Sequence, residues 1–130
     1  MLISRLMTHG AETVSSHDSL QTAANLMKRG GFRRIPVVDE DQLVGIISDR
    51  DIRAHAGYLE QTRVTAAMTA DPKTVTPKMS VEDAARLMIS HKIGGLPVVE
   101  EGKLVGIITT TDILKAFLEI EAATQSLADD

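Results

Sequence analysis

The chain has 130 residues, of which 43% are hydrophobic and 25% are charged, which is close to the average for a globular domain. Its net charge of -4, without any block of like charge, argues against a nucleic-acid scaffold or an anionic membrane surface as partner. There is no cysteine, which excludes disulfides and thiolate chemistry, and no apolar run approaches the ~20 residues that span a bilayer. We therefore expect a cytoplasmic protein that does not enter a membrane.

The first predicted elements are a short strand and a helix. The β-branched segment 13–15 favours a brief strand. Ser19 is expected to cap a helix, because apolar residues recur at helical spacing from Leu20 to Met27. The glycine pair at 30–31 ends this helix.

Two strands and a second helix follow in the same half of the chain. Residues 35–38 and 43–47 are near-continuous apolar runs, which are typical of strands covered on both faces. The polar connector 39–42 is short enough for a hairpin. A second helix is expected after Ser48.

The second half of the chain repeats the first with a constant offset of 61 residues (97 minus 36, or 112 minus 51). Two copies are too few for a solenoid, which needs about three repeats to bury a continuous core. The pattern instead predicts an α/β fold of two β-α-β-β-α repeats packed around a pseudo-two-fold axis. We divide the chain into repeat 1 (residues 1–57), a linker (58–63), repeat 2 (64–120) and a polar C-terminal tail (121–130) that we expect to be frayed.

The order of motifs in each copy resembles one family. It runs from Met-Thr through a short strand and a small-residue helix to Pro-Val-Val-acid, and then to Gly-Ile-Ile-Ser/Thr-x-x-Asp. This chain resembles a tandem pair of cystathionine β-synthase (CBS) domains, also called a Bateman module, over about residues 3 to 120. The resemblance implies a non-catalytic regulatory module that binds an adenosyl ligand.

The chemistry is expected at two hydroxyl-x-x-Asp motifs, which begin at Ser48 and Thr109. A carboxylate where a strand turns into a helix can accept hydrogen bonds from the hydroxyls of a ribose, and the free amides of the helix can hold phosphate oxygens. The same spacing is also close to an ordinary capping box. The two interpretations are compatible.

The resemblance also implies two clefts, each built from both repeats. By this resemblance, the first cleft is expected to be lined by Thr13, Val14, Arg33, Arg34, Pro36, Thr109, Thr111 and Asp112. The second cleft is expected to be lined by Ser48, Arg50, Asp51, Thr74, Val75, Gly94, Gly95 and Pro97. The arginine pair suits phosphate because its planar groups meet two oxygens at a time, whereas the equivalent glycine pair offers no charge. The second cleft is therefore expected to bind more weakly.

Two classes of function remain open from the sequence. One is a sensor for AMP, ADP or ATP, with S-adenosylmethionine or NAD as further ligands, that passes its signal to an unknown regulated protein. The other is a dimerisation or partner-docking scaffold whose clefts are vestigial. The helix from Ile113 carries an apolar stripe at Leu114, Phe117 and Leu118, which favours a homodimer. No metal site is expected, because the four histidines share no ligand spacing.

Overall fold

The computed structural model describes residues 1–129. In chain order the elements are a 3-10 helix (Ile3–Arg5), β1 (Thr8–His9), α1 (Leu20–Gly30), β2 (Arg34–Asp39), β3 (Gln42–Ser48), α2 (Asp49–Arg53), α3 (Val64–Ala67), β4 (Thr69–Ala70), α4 (Val81–His91), β5 (Gly95–Glu100), β6 (Lys103–Thr109) and α5 (Thr110–Asp129). Both repeats show the predicted helix, two strands and following helix. Within these residues no helix combines the length and the apolar character needed to cross a membrane.

Each half is built on an antiparallel hairpin, β2–β3 in the first and β5–β6 in the second. Ile35 lies opposite Ile47, and Leu96 lies opposite Ile108, and all four side chains are fully buried. Residues 40–41 turn the first hairpin with positive φ at both positions, as a tight two-residue turn requires.

The third strand of each sheet comes from the other repeat. β1 pairs with β6, and β4 pairs with β3. Glycine allows this close approach, because a Cβ at Gly45 would lie 2.9 Å from the carbonyl oxygen of Thr69. The two halves are therefore interlocked.

The hydrophobic core is divided into two clusters, and each cluster includes residues contributed by the other repeat. Ile3 and Met7 from the start of the chain pack in the cluster of the second half, beside Leu96 and Ile108. Val64 packs in the cluster of the first half. The N-terminal segment of each repeat thus completes the core of the other repeat.

The helix ends follow the sequence prediction in α1. The Ser19 side chain accepts a hydrogen bond from the backbone N–H of Thr22, and Gly31 ends the helix in the left-handed conformation with a φ of 71°. In α4 the equivalent cap is Ser80, which accepts from the N–H of Asp83. The predicted cap at Ser19 is confirmed, and the position 61 residues further along caps its helix in the same way.

Two expectations about local structure are wrong. The predicted strand at 13–15, and its repeat equivalent at 74–76, are reduced to single parallel bridges, Val14 with Val37 and Val75 with Val98. Residues 121–129 of the predicted tail are helical instead of frayed, because they contain neither glycine nor proline and are rich in helix formers, and the last residue of the tail lies outside the described residues.

Candidate functional site

The two hydroxyl-x-x-Asp motifs lie where β3 and β6 run into the following helices. The backbone N–H of Ser48 donates to Asp51 Oδ2 (2.8 Å), and the N–H of Asp51 donates to Ser48 Oγ (3.2 Å). Thr109 and Asp112 make the same reciprocal pair at 2.8 and 3.3 Å. The capping interpretation is therefore confirmed at both motifs.

The capping bonds leave part of each carboxylate unused. The bonds that reach the two carboxylates all end on Oδ2, and no residue between 1 and 129 donates a hydrogen bond to Oδ1 of Asp51 or Asp112. Both aspartates are half-buried. An ionised carboxylate with a free oxygen can accept from a ligand hydroxyl, so capping and ligand binding are compatible.

A cavity of about 420 Å³ brings together six of the eight residues of the first cleft. They are Arg33, Arg34, Pro36, Thr109, Thr111 and Asp112. The lining is completed by Thr8, Gly10, Ala11, Glu12, Gly31, Phe32, Ile107 and Lys115. Small-molecule sites are typically about 300 to 1,000 Å³, so the cavity has the size of a ligand site.

The other two residues assigned to the first cleft lie elsewhere. Thr13 and Val14 line an adjoining groove of about 630 Å³, which shares the segment 10–12 with the cavity. The Val14 side chain is buried in the first core, and its N–H donates to the carbonyl of Pro36 (3.2 Å). Parallel pairing with β2 turns Val14 away from the cavity.

The cavity carries two charged residues that the sequence prediction missed. Lys115 and Glu12 join Arg33, Arg34 and Asp112 in its lining. Within the described chain none of the three cations makes a side-chain hydrogen bond or an ion pair. Lys115 follows Asp112 by three residues on α5, and this helical spacing was a usable signal. Nothing in the pattern singled out Glu12.

The second cleft differs from expectation at its glycine pair. The side chain of Arg34 lies against Gly94 and Gly95, where Arg34 Cζ is 2.7 Å from the position that a Cβ at Gly94 would occupy. The glycine pair carries no charge of its own, as the sequence predicts, but a cation of the other repeat lies against it. Absence of side chains on both glycines leaves room for an arginine of the other repeat.

The remaining residues of the second cleft are distributed between core and surface. Val75 and Pro97 are buried, and the N–H of Val75 donates to the carbonyl of Pro97 (3.1 Å). Thr74 and Arg50 are exposed. Ser48 and Asp51 form the cap described above.

The helix starts offer fewer free amides than the sequence suggested. The N–H of Asp49 donates to the carbonyl of Arg33 (2.8 Å), and the N–H of Thr110 donates to the carbonyl of Gly94 (3.0 Å). These bonds tie the start of each helix to the residue before a strand. The first amide of each helix is thus unavailable to phosphate.

At the end of β2, Asp39 anchors the segment that leads to α1. Its carboxylate accepts from the hydroxyl and the N–H of Ser16 and from the hydroxyl of Ser15. The hydrogen bonds from Ser16 hold the pKa of the Asp39 carboxyl below its ordinary value.

Metal-binding side chains are not clustered in the described part of the chain. It contains no group of three or more His, Asp or Glu side chains that could hold a metal ion.

Comparisons with known proteins agree with this architecture. The curated relatives include the CBS domain-containing protein YhcV of Bacillus subtilis, 37% identical over 95% of this chain and 90% of YhcV. An inosine-5'-monophosphate dehydrogenase of Korarchaeum cryptofilum is 41% identical over 78% of this chain, which spans only 21% of that enzyme.

Solved structures show the same fold. AcuB from Vibrio cholerae matches with a TM-score of 0.85 and 31% identity, over 97% of this chain and 96% of AcuB. The CBS domain pair of MJ0100, solved with 5'-methylthioadenosine and S-adenosylmethionine, matches at 0.84 with 29% identity over 90% of this chain and 95% of that one. CBSX2, solved with AMP, matches with a TM-score of 0.82 and 32% identity, over 92% of this chain and 98% of CBSX2.

The family model for the CBS domain matches the chain twice, at residues 3–57 and 64–119. These two segments contain both hairpins and both capped aspartates. The chain belongs to the CBS domain family and is a tandem CBS pair.

Proposed function

We propose that this chain is a non-catalytic regulatory module that binds an adenine nucleotide (AMP, ADP or ATP) in the first cleft and passes the signal to a partner protein. One observation carries the proposal: a single cavity contains the Asp112 carboxylate together with Arg33 and Arg34. A carboxylate recognises the two hydroxyls of a ribose, and guanidinium groups recognise phosphate.

The charges of the cavity favour a phosphate-bearing ligand. Arg33, Arg34 and Lys115 outnumber Glu12 and Asp112. Ligands of the solved relatives, AMP in CBSX2 and methylthioadenosine with S-adenosylmethionine in MJ0100, support the adenosyl class. S-adenosylmethionine carries a positive sulfonium, so its charge suits this cavity less well than the charge of AMP. NAD shares the phosphate and ribose groups.

A regulatory role requires a ligand that binds two conformations with different affinity. Typical coupling free energies are about 1–3 kcal/mol. The first cleft is suited to such coupling because its lining comes from both repeats, with Arg33 before β2 and Asp112 on α5. Ligand binding there stabilises one arrangement of the two halves. We propose the second cleft as the weaker site, because the cavity lined by Arg33, Arg34 and Lys115 is that of the first cleft.

A homodimer is the oligomer that the surface of α5 supports. Leu114, Phe117 and Leu118 are 61%, 54% and 65% exposed and recur at helical spacing. An apolar stripe of this kind is typical of interaction sites. A second copy of the chain, packed helix to helix, would cover it. The scaffold alternative, in which the clefts bind nothing, uses the same stripe.

Calorimetric titration of the purified chain with AMP and then with ATP tests the proposal. We expect micromolar binding near one nucleotide per chain. Absence of heat with AMP, ATP and S-adenosylmethionine would overturn the sensor function. That result would leave the dimerisation or docking scaffold as the better account of the α5 surface.

A further inference from the structure

Arg34 and Gly95 are equivalent positions of the two repeats, and they meet across the pseudo-two-fold axis. Arg34 begins β2 and Gly95 begins β5. The Arg34 side chain runs along the glycine pair, with its Cδ 2.7 Å from the Cβ position of Gly95 and its Cζ 2.7 Å from that of Gly94. One arginine thus occupies space that both repeats border.

The backbone does not explain why both positions are glycine. Neither Gly94 nor Gly95 has the positive φ that favours glycine over other residues. A side chain at either position would instead meet Arg34. The glycine pair therefore provides a surface on which the arginine lies.

The Arg34 side chain is half-buried and also lines the cavity of the first cleft. Its guanidinium has five N–H donors, yet it makes no hydrogen bond or ion pair with any residue from 1 to 129. A partly desolvated cation without a partner attracts an anion strongly. Because the arginine side chain is flexible, the guanidinium can lie against the glycine pair or point into the cavity.

We propose that Arg34 is shared between the two clefts, an inference that rests on the proposed function. In this structure its guanidinium lies over Gly94 and covers the beginning of β5, which borders the second cleft. A phosphate in the first cleft draws the guanidinium away from Gly94 and uncovers that border. An anionic adenosyl ligand in the first cleft therefore favours ligand entry into the second, and by linkage the effect is reciprocal.

A double-mutant cycle tests this sharing, with AMP as the anionic probe and adenosine as its uncharged counterpart. Gly94→Ala places a Cβ where the guanidinium lies and removes that alternative position. The ligand then no longer has to displace Arg34, so we expect AMP to bind the first cleft about threefold more tightly, because competing conformations reduce apparent affinity. Adenosine has no phosphate to attract Arg34, so the fold-change in its affinity should be less than about half of the fold-change for AMP. In an Arg34→Ala background, Gly94→Ala should leave AMP affinity unchanged.

Arg33→Ala is the matched control, because Arg33 lines the same cavity but does not contact Gly94. The gain from Gly94→Ala should persist in that background. Thermal unfolding of each variant checks that the fold is kept. No gain in the natural background, or the same gain with and without Arg34, would overturn the shared arginine while leaving AMP binding intact. No AMP binding to the unsubstituted chain would overturn the proposed function and this inference together.

Discussion

Thr109 holds Asp112 through a single oxygen: its backbone N–H (2.8 Å) and its hydroxyl (3.1 Å) both donate to Asp112 Oδ2. These two bonds fix the orientation of the carboxylate, and among residues 1–129 the hydrogen bonds to it end on Oδ2. Both side chains line the cavity. Helix capping and ligand recognition can thus share one side chain. A substitution that keeps the cap separates the two roles.

Asp112→Asn is that substitution, because an amide oxygen can still accept from Thr109 while the negative charge is lost. We expect AMP affinity to fall at least about tenfold, as hydrogen bonds to charged groups contribute about 1.5–3 kcal/mol. The free energy of unfolding should fall by less than about 1 kcal/mol. Calorimetric titration and urea unfolding measure the two quantities.

Asp51→Asn is the matched control, since Asp51 makes the equivalent cap with Ser48. It should have a similar effect on stability but a smaller effect on AMP binding, because Asp51 does not line the cavity. Equal losses of AMP affinity in both variants would contradict the inequality of the two clefts.

Arg33→Ala tests the charge of the first cleft. The variant loses an exposed guanidinium that lines the cavity and has no protein partner among residues 1–129. We expect AMP affinity to fall about tenfold or more, because charge-assisted hydrogen bonds to phosphate are lost. Adenosine affinity should stay within about twofold. Comparison of the two titrations gives the phosphate contribution, and Arg53→Ala on α2 serves as a control.

Much of the fold could be predicted from the sequence because its determinants are local. Ser19 caps α1 and Gly31 ends it, and both choices follow from hydrogen-bonding capacity and φ preference within a few residues. The constant offset between repeats carried each local prediction into the second half. The strands of the hairpins were predicted from continuous apolar runs, which are also a local feature of the sequence.

What could not be predicted depends on how the halves dock. β1 is only two residues long, too short for any periodicity, and its partner β6 lies about 100 residues further along the chain. The position of the Arg34 side chain over Gly94 is likewise a contact between repeats. Repeat symmetry placed the two positions in equivalent clefts but gave no sign that they touch.

The strand exchange can be tested with Gly106→Ala. A Cβ at Gly106 would collide with the backbone carbonyl oxygen of Thr8 in β1, which cannot move independently of its strand. We expect the free energy of unfolding to fall by about 1–3 kcal/mol, as overpacking does elsewhere. Urea denaturation measures it, with the exposed Lys103→Ala on the same strand as control. An unchanged unfolding midpoint would argue against the pairing of β1 with β6.

The Asp39 carboxyl predicts a pH dependence of stability. Since its pKa is lowered in the folded chain, its contribution is fully present above the unfolded pKa, about 3.9, and is lost as pH falls through the folded value. Asp39→Asn should therefore be less stable than the natural chain near neutral pH. The difference should shrink below about pH 4, as thermal unfolding across pH can show. A loss of stability on acidification that is the same with and without the Asp39 carboxyl would contradict the role of the Ser16 hydrogen bonds.

The α5 surface predicts the effect of Phe117→Glu on assembly. Phe117 is 54% exposed and lies between Leu114 and Leu118 on the helix. A charge there should convert the proposed homodimer to a monomer, which sedimentation or light scattering detects. Ile89→Glu on α4 is the control, because Ile89 is 78% exposed but lies outside the stripe. Dissociation by both variants, or by neither, would argue against α5 as the dimer surface.

A crystal structure of this chain with AMP tests the central claim most directly. The account predicts AMP in the cavity of the first cleft, with its ribose hydroxyls on the free oxygen of Asp112 and its phosphate on Arg33 and Arg34. AMP bound beside Ser48 and Asp51 with the first cavity empty, or AMP bound outside both clefts, would contradict it.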